Sequence, residues 1–244
     1  MEPLTEKLPA RDRLIVALDE PDAVGARGMI SSLGDSVSTY KIGKQLFTAE
    51  GPQFVRELLD SGRRVFLDLK FHDIPNTVAS AVRSAAALGV GMLTVHASGG
   101  SKMLKAAAEA AATFPNPPLI LAVTVLTSMT NEDLAEVGVT GRVVDQVLRL
   151  AALAREAGCG GIVASAHEAA QIRAKLGTGF AIVTPGVRPA GTDTADQARV
   201  VTPAQAIAAG ATHIVVGRPI TQANDPRSAA EAILHDLAGG HYQP

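Results

Sequence analysis

The chain has 244 residues, 47% of them apolar and 19% charged, with a formal net charge of −2. That balance supplies no basic field for a polyanion, and 3% aromatics without a Trp give no stacking platform for single-stranded nucleic acid. One cysteine excludes an internal disulfide or a Cys-based metal site, and no apolar run approaches the ~20 residues of a membrane span.

The first ten residues, MEPLTEKLPA, lack the cationic start and apolar core of a secretory signal. A soluble, cytoplasmic protein is expected, with neither nucleic acid nor membrane as a partner. RLIVAL (13–18) is the first strand-like run, and it leads into ALDEPDA. The Gly-rich turn that a doubly wound nucleotide-binding sheet usually shows there is missing. STYKIG (38–43) and RVFLDL (64–69) follow, and then TVASAVRSAAALG (77–89), helical in composition and closed by Gly. MLTVHA (92–97) precedes the Ala-rich SKMLKAAAEAAATF (101–114), and the short FPNPP (114–118) connects that helix to LILAVTVL (119–126). VVDQVLRLAALAREAG (143–158) leads to GGIVAS (160–165), and FAIVTP (180–185) and THIVVG (212–217) complete eight runs. The runs are continuous rather than alternating, as in parallel strands covered on both faces. Eight strands alternating with helices predict a single (β/α)8 TIM barrel over residues 1–244. Cys159, within AGCGG, reads as a buried structural thiol rather than a nucleophile.

Barrels of this kind place chemistry at the C-terminal ends of the strands. Those ends supply Asp19, Lys41, Asp68 with Lys70, His96, Thr127 with Ser128, Ser165, Arg188 and Arg218. A charge in the packed interior is expensive unless paired, so these groups should face the mouth and one another. The densest set is Asp68-x-Lys70-x-x-Asp73. Strand alternation predicts that Asp68 and Lys70 leave the same face, into the mouth. Asp73 falls past the strand, in a turn fixed by Pro75, with Asn76 and Thr77 as candidate helix caps. An ammonium among carboxylates is a proton donor beside concentrated negative charge, suited to a reaction that forms a carbanion and then protonates it. Without the barrel, the same spacing could equally be a surface ion-pair ladder.

The segments 127–142 and 186–203 are long, polar and Gly-containing, as lids at a catalytic mouth are. TPGVRPAGTDTADQARVVTP (184–203) and VVGRPIT (215–221) follow strands seven and eight, where phosphate sites recur in this architecture. Arg218 is the candidate bidentate clamp, with the Gly217 and Arg218 amides donating beside it. Alternatively Arg218 pairs with a carboxylate and Gly186 merely permits a turn. His72, His96, His167 and His213 show no metal-ligand spacing, and a neutral, hydrogen-bonded role suits His96.

The string FLDLKFHDIPNTV (66–78) resembles the signature of the orotidine 5'-phosphate decarboxylase family, bacterial branch. IVALDEPD, YKIGKQLFTAEGP, VHASGG, VTVLTSM, TPGVRP and VVGRPIT extend the resemblance over essentially the whole chain, in the family's order. The resemblance implies decarboxylation of orotidine 5'-monophosphate to uridine 5'-monophosphate without cofactor or metal, the last step of de novo UMP synthesis. Lys70 would protonate C6, Asp68 would lie near the substrate carboxylate, and Lys41 would complete a Lys-Asp-Lys-Asp network. Asp19 and Lys41 would bind the ribose 3'-hydroxyl. Asp73 and Thr77 would reach across a homodimer to the partner's 2'-hydroxyl. Thr127, with Ser128, would contact the pyrimidine, and Arg188, Gln197, Gly217 and Arg218 would surround the phosphate. The rivals are a Mg-dependent sugar-phosphate decarboxylase or aldolase sharing D-x-K-x-x-D, and a non-catalytic phosphate-ligand barrel.

Overall fold

Each apolar run becomes a strand because its side chains find cover on both faces of one sheet. A computed structural model of the chain describes residues 8–189 and 201–239. The strands are β1 (Leu14–Leu18), β2 (Thr39–Gly43), β3 (Arg64–Phe71) and β4 (Met92–His96), then β5 (Leu119–Val123), β6 (Gly161–Val163), β7 (Ala181–Pro185) and β8 (His213–Val216). They pair in parallel in chain order, and β8 returns to β1, so the sheet closes into a barrel with no free edge.

The helices α1 (Ala10–Arg13), α2 (Ala23–Leu33), α3 (Lys44–Asp60), α4 (Pro75–Ala86) and α5 (Gly100–Ala112) cover the first half of the sheet. Those of the second half are α6 (Asn131–Glu136), α7 (Val143–Glu156), α8 (Ala166–Leu176), α9 (Pro203–Ala208), α10 (Arg218–Thr221) and α11 (Pro226–Leu237). No helix among the described residues is long and apolar enough to cross a membrane.

Two apolar cores follow from strand alternation. Ile15, Ala17, Phe66, Leu121, Ala181, Val183 and Val215 fill the barrel interior, with Met92, Leu119 and Val163 packed against them. The opposite parity, including Leu14, Val16, Leu67, Leu93 and Ile162, faces the helices in the larger outer core. Fully burying each of the larger aliphatic side chains contributes about 1.5–3 kcal/mol. Gly161 points into the crowded interior: a Cβ there would meet Ala181 Cβ at 2.6 Å and Leu121 Cδ2 at 2.8 Å. Cys159 belongs to the outer core, and burial pushes its thiol up to about 12, so it is inert as a nucleophile.

Three local expectations change. The fifth run leaves the ladder after Val123 rather than continuing to Leu126, although the Thr124 amide still donates to Val163 O at 3.2 Å. The segment 127–142 is not wholly irregular: Thr130 and Asp133 form a reciprocal capping box that starts α6. Asn76 and Thr77 are not caps. Pro75 takes the first helical turn, where its missing N–H costs nothing, and Ile74 is an N-cap without a side-chain bond.

Candidate active site

The inner parity of the strands carries the site. Ala17 and Phe66 point into the barrel, so Asp19 and Asp68, two residues on, reach the C-terminal mouth above them. Lys41 lies in register with Ala17 on one side and Phe66 on the other, and its long stem rises from that apolar layer to the same mouth.

There the charges alternate in a row. Lys41 Nζ donates to Asp19 Oδ1 at 3.1 Å and stands 3.9 Å from Asp68 Oδ2, while Lys70 Nζ donates to the same Asp68 oxygen at 2.7 Å. The row runs from water inward: the Asp19 side chain is 64% exposed, against 12% for Lys41 and 13% for Asp68. The Asp19 end is therefore screened, whereas the Lys41–Asp68–Lys70 part is held in a half-dry pocket where charge interactions are strong. A cavity of about 310 Å³ opens directly on Asp19, Lys41, Asp68 and Lys70, with Leu126 on its wall. A ligand atom in that cavity would meet an ammonium able to give up a proton.

The side-chain meeting of Asp68 and Lys70 was expected from simple alternation, and the strand reaches it by a different route. The β3–β4 register runs from Leu67↔Leu93 directly to Phe71↔Val95, so Asp68, Leu69 and Lys70 face Thr94 alone. Lys70 has φ 53°, the one positive value at a non-glycine residue among those described. Such bulges re-aim side chains next to active sites. Thr94 joins the candidate set on contact, its Oγ1 bonded to both the Lys70 amide and Asp68 Oδ1, although no motif singles it out. Its signal was available: it shares the inward parity of Met92 and His96 in MLTVHA.

Asp73 stands apart. Among the described residues no ion pair reaches it, and its Oδ1 accepts from the Ile74 amide at 2.6 Å. The whole stretch His72–Thr77 is exposed, with Ile74 at 66%. Within one chain the alternating row is thus Asp19–Lys41–Asp68–Lys70, and Asp73 and Thr77 lie on a ridge outside it.

The remaining candidates line the rim. Thr127 and Ser128 form an exposed turn closed by the Met129 amide on Leu126 O at 2.9 Å, beside the cavity wall. Arg188 is buried at 7% exposure, and its amide donates to Val201 O at 3.1 Å, tying the two ends of the segment after β7 together. Gly217 is the N-cap of α10 and Arg218 its first residue, and Arg218 lines a second opening of about 460 Å³ with Asp19, Glu20, Thr221 and Gln222. Asp19 borders both openings, so they adjoin. Gln197 lies outside the described residues.

His96 ends β4 half-buried, its ring 5.4 Å from that of His72. Burial first, then the neighbours His72, Lys44 and Lys70, push its pKa down from the ordinary imidazole value, with Asp68 opposing, so the neutral ring is favoured at pH 7. Among the described residues no group of three or more His, Cys, Asp and Glu side chains is placed to hold a metal.

The family model described as orotidine 5'-phosphate decarboxylase / HUMPS family matches residues 12–233. The orotidine 5'-phosphate decarboxylase of Sodalis glossinidius is 53% identical over 228 residues, covering 93% of this chain and 90% of that protein. The Moorella thermoacetica enzyme of the same name is 52% identical over 237 residues, covering 95% and 94%. The crystal structure of orotidine 5'-phosphate decarboxylase from Lactobacillus acidophilus superposes with a TM-score of 0.83 at 39% identity, covering 92% of this chain and 98% of that one.

Proposed function

The chain belongs to the orotidine 5'-phosphate decarboxylase / HUMPS family, and from that membership we propose how its barrel mouth performs the reaction. The activity is that of a carboxy-lyase: orotidine 5'-monophosphate is converted to uridine 5'-monophosphate and CO2, the last step of UMP synthesis. The observation that supports the assignment of roles is the ion-paired row Asp19–Lys41–Asp68–Lys70 opening on one cavity.

In the proposed reaction the bond from C6 to the carboxylate breaks, the electron pair stays on C6, and CO2 departs. The Lys70 ammonium delivers its proton to C6, and the amine left behind recovers one from solvent. No cofactor or metal takes part. The barrier to a vinyl carbanion is high, so the catalytic contribution belongs toward the upper end of the ~8–23 kcal/mol enzyme range. A fixed ammonium 2.7 Å from Asp68 supplies preorganised charge where negative charge develops. Asp68 lies near the departing carboxylate, and Lys41 holds Asp68 from its other side. Asp19 and Lys41 take the ribose 3'-hydroxyl.

Arg218, the Gly217 and Arg218 amides and Arg188 surround the phosphate at the adjoining opening, and Gln197, outside the described residues, is assigned to the phosphate from the family resemblance alone. Thr127 and Ser128 contact the pyrimidine from the turn beside Leu126. Phosphate contacts remote from C6 close the rim over the ring and exclude water. The protein acts as a homodimer in which Asp73 and Thr77 of one subunit complete the site of the other. Supporting this, the His72–Thr77 ridge is exposed, carries an uncovered Ile74, and has no ion pair to its own chain's row. A cytoplasmic location accompanies this role, supported by a lone cysteine that needs no disulfide.

The test is loss of orotidine 5'-monophosphate absorbance by the full chain in the presence of EDTA. Turnover that survives the chelator is expected. Activity appearing only with added Mg2+ would contradict the reading.

A further inference from the structure

We propose that Thr94 is a positioning residue for this reaction: its buried hydroxyl fixes both the backbone of Lys70 and the carboxylate of Asp68. The proposal rests on the assignment of Lys70 and Asp68 to the decarboxylation chemistry.

The geometry begins with the bulge. Asp68, Leu69 and Lys70 face Thr94 alone between two regular pairs of the β3–β4 ladder, so the ladder cannot satisfy their backbone groups in the usual way. Lys70 sits at φ 53°, a conformation that an L-residue with a long side chain adopts only when its surroundings hold it there. What holds it is Thr94: the Lys70 amide donates to Thr94 Oγ1 at 2.9 Å.

A threonine hydroxyl has one proton to give. Because Oγ1 accepts from the Lys70 amide, that proton is free for a second partner, and the partner is Asp68 Oδ1 at 2.9 Å. Thr94 is 0% exposed, so bulk water does not compete for either bond. The direction of the relay is fixed: amide to hydroxyl, hydroxyl to carboxylate. With Oδ1 engaged, the other oxygen, Oδ2, is turned toward both ammonium groups, Lys70 at 2.7 Å and Lys41 at 3.9 Å. One side chain therefore sets the position of the proton donor, through its main chain, and the plane of the carboxylate that pairs with it.

Valine has nearly the same shape and no hydroxyl. In Thr94→Val the Lys70 amide and Asp68 Oδ1 lose their partner in a dry layer, which favours relaxation of the bulge and rotation of the carboxylate. A displacement of the ammonium by an ångström at the reacting atom costs about 10²-fold in rate. The apolar barrel layer below, including Phe66 and Met92, keeps its packing, and the phosphate opening is untouched.

The experiment measures kcat and KM for orotidine 5'-monophosphate, and Kd for uridine 5'-monophosphate, in the wild-type chain and in Thr94→Val, Thr94→Ser and Thr94→Ala. The expected result for Thr94→Val is a kcat lower by about 10²-fold, with KM and Kd within about threefold of wild type. Thr94→Ser, which keeps the hydroxyl, should recover most of that loss. Should the valine variant fail to fold, Thr94→Ala is read by the same criteria. A valine or alanine variant with kcat within about twofold of an active wild type overturns the proposal alone. So does a parallel loss of kcat and nucleotide affinity that serine fails to rescue, which would make Thr94 a packing residue. A wild-type chain that leaves the substrate unchanged overturns the assignment beneath the proposal, and the proposal with it.

Discussion

His213 gives the structure a measurable acid sensitivity at the end of the barrel opposite the site. It begins β8, is 7% exposed, and shares a 2.9 Å contact between its Nδ1 and Thr212 Oγ1. Burial first, then the cations Arg64 and Arg13, push its pKa down from 6.5 to about 4, with Asp12 opposing. The unfolded chain takes up a proton at this position near pH 6.5, whereas the folded chain refuses it until about pH 4. The stability that comes from keeping His213 neutral is therefore complete above pH 6.5 and is lost as the pH falls toward 4. The difference between the two values converts to about 3 kcal/mol over that interval. Urea unfolding of the wild type and of His213→Gln at pH 7, 5.5 and 4 isolates the effect, because contributions from other groups cancel in the difference. The stability advantage of the wild type over the variant should shrink by about 3 kcal/mol between pH 7 and pH 4. A difference that stays constant across this range would refute the argument.

The remaining predictions concern the site. Mixing Lys70→Ala and Asp73→Ala chains should restore about a quarter of wild-type activity, since half of randomly formed dimers are mixed and each holds one intact site of two. No recovery despite demonstrated subunit exchange would remove Asp73 from the shared role. Arg218→Ala should raise KM for orotidine 5'-monophosphate by about 10- to 100-fold, the loss of a charge-assisted contact, while leaving kcat/KM for the phosphate-free nucleoside unchanged. Equal losses on both substrates would move Arg218 away from the phosphate.

The barrel was legible in the sequence because parallel strands covered on both faces leave unbroken apolar runs, and THIVVG or FAIVTP has no other place to hide such a surface. Strand ends were less legible. LILAVTVL reads as one run of eight, yet pairing stops at Val123; Val125 still packs in the outer core, and Leu126 alone of the last three residues becomes a wall of the cavity. The candidate residues are named from their types at strand ends, and of these Asp19, Lys41, Asp68 and Lys70 lie in contact. Spacing could not reveal the bulge at Lys70, because a positive φ there depends on a buried hydroxyl from the next strand. Thr94 went unnoticed for the same reason, since a threonine within a β-branched run passes for strand propensity until its neighbour is known. Asn76 and Thr77 looked like caps on composition, but Pro75 sets where the helix begins.

The central claim is that Lys70 delivers the proton to C6. Its most direct test is turnover of orotidine 5'-monophosphate by Lys70→Ala, measured alongside the binding of uridine 5'-monophosphate. Proton donation by Lys70 predicts a kcat lower by at least about 10³-fold, with product affinity within a few-fold of wild type. A kcat within about tenfold of wild type, in a variant that still binds the product, would contradict it.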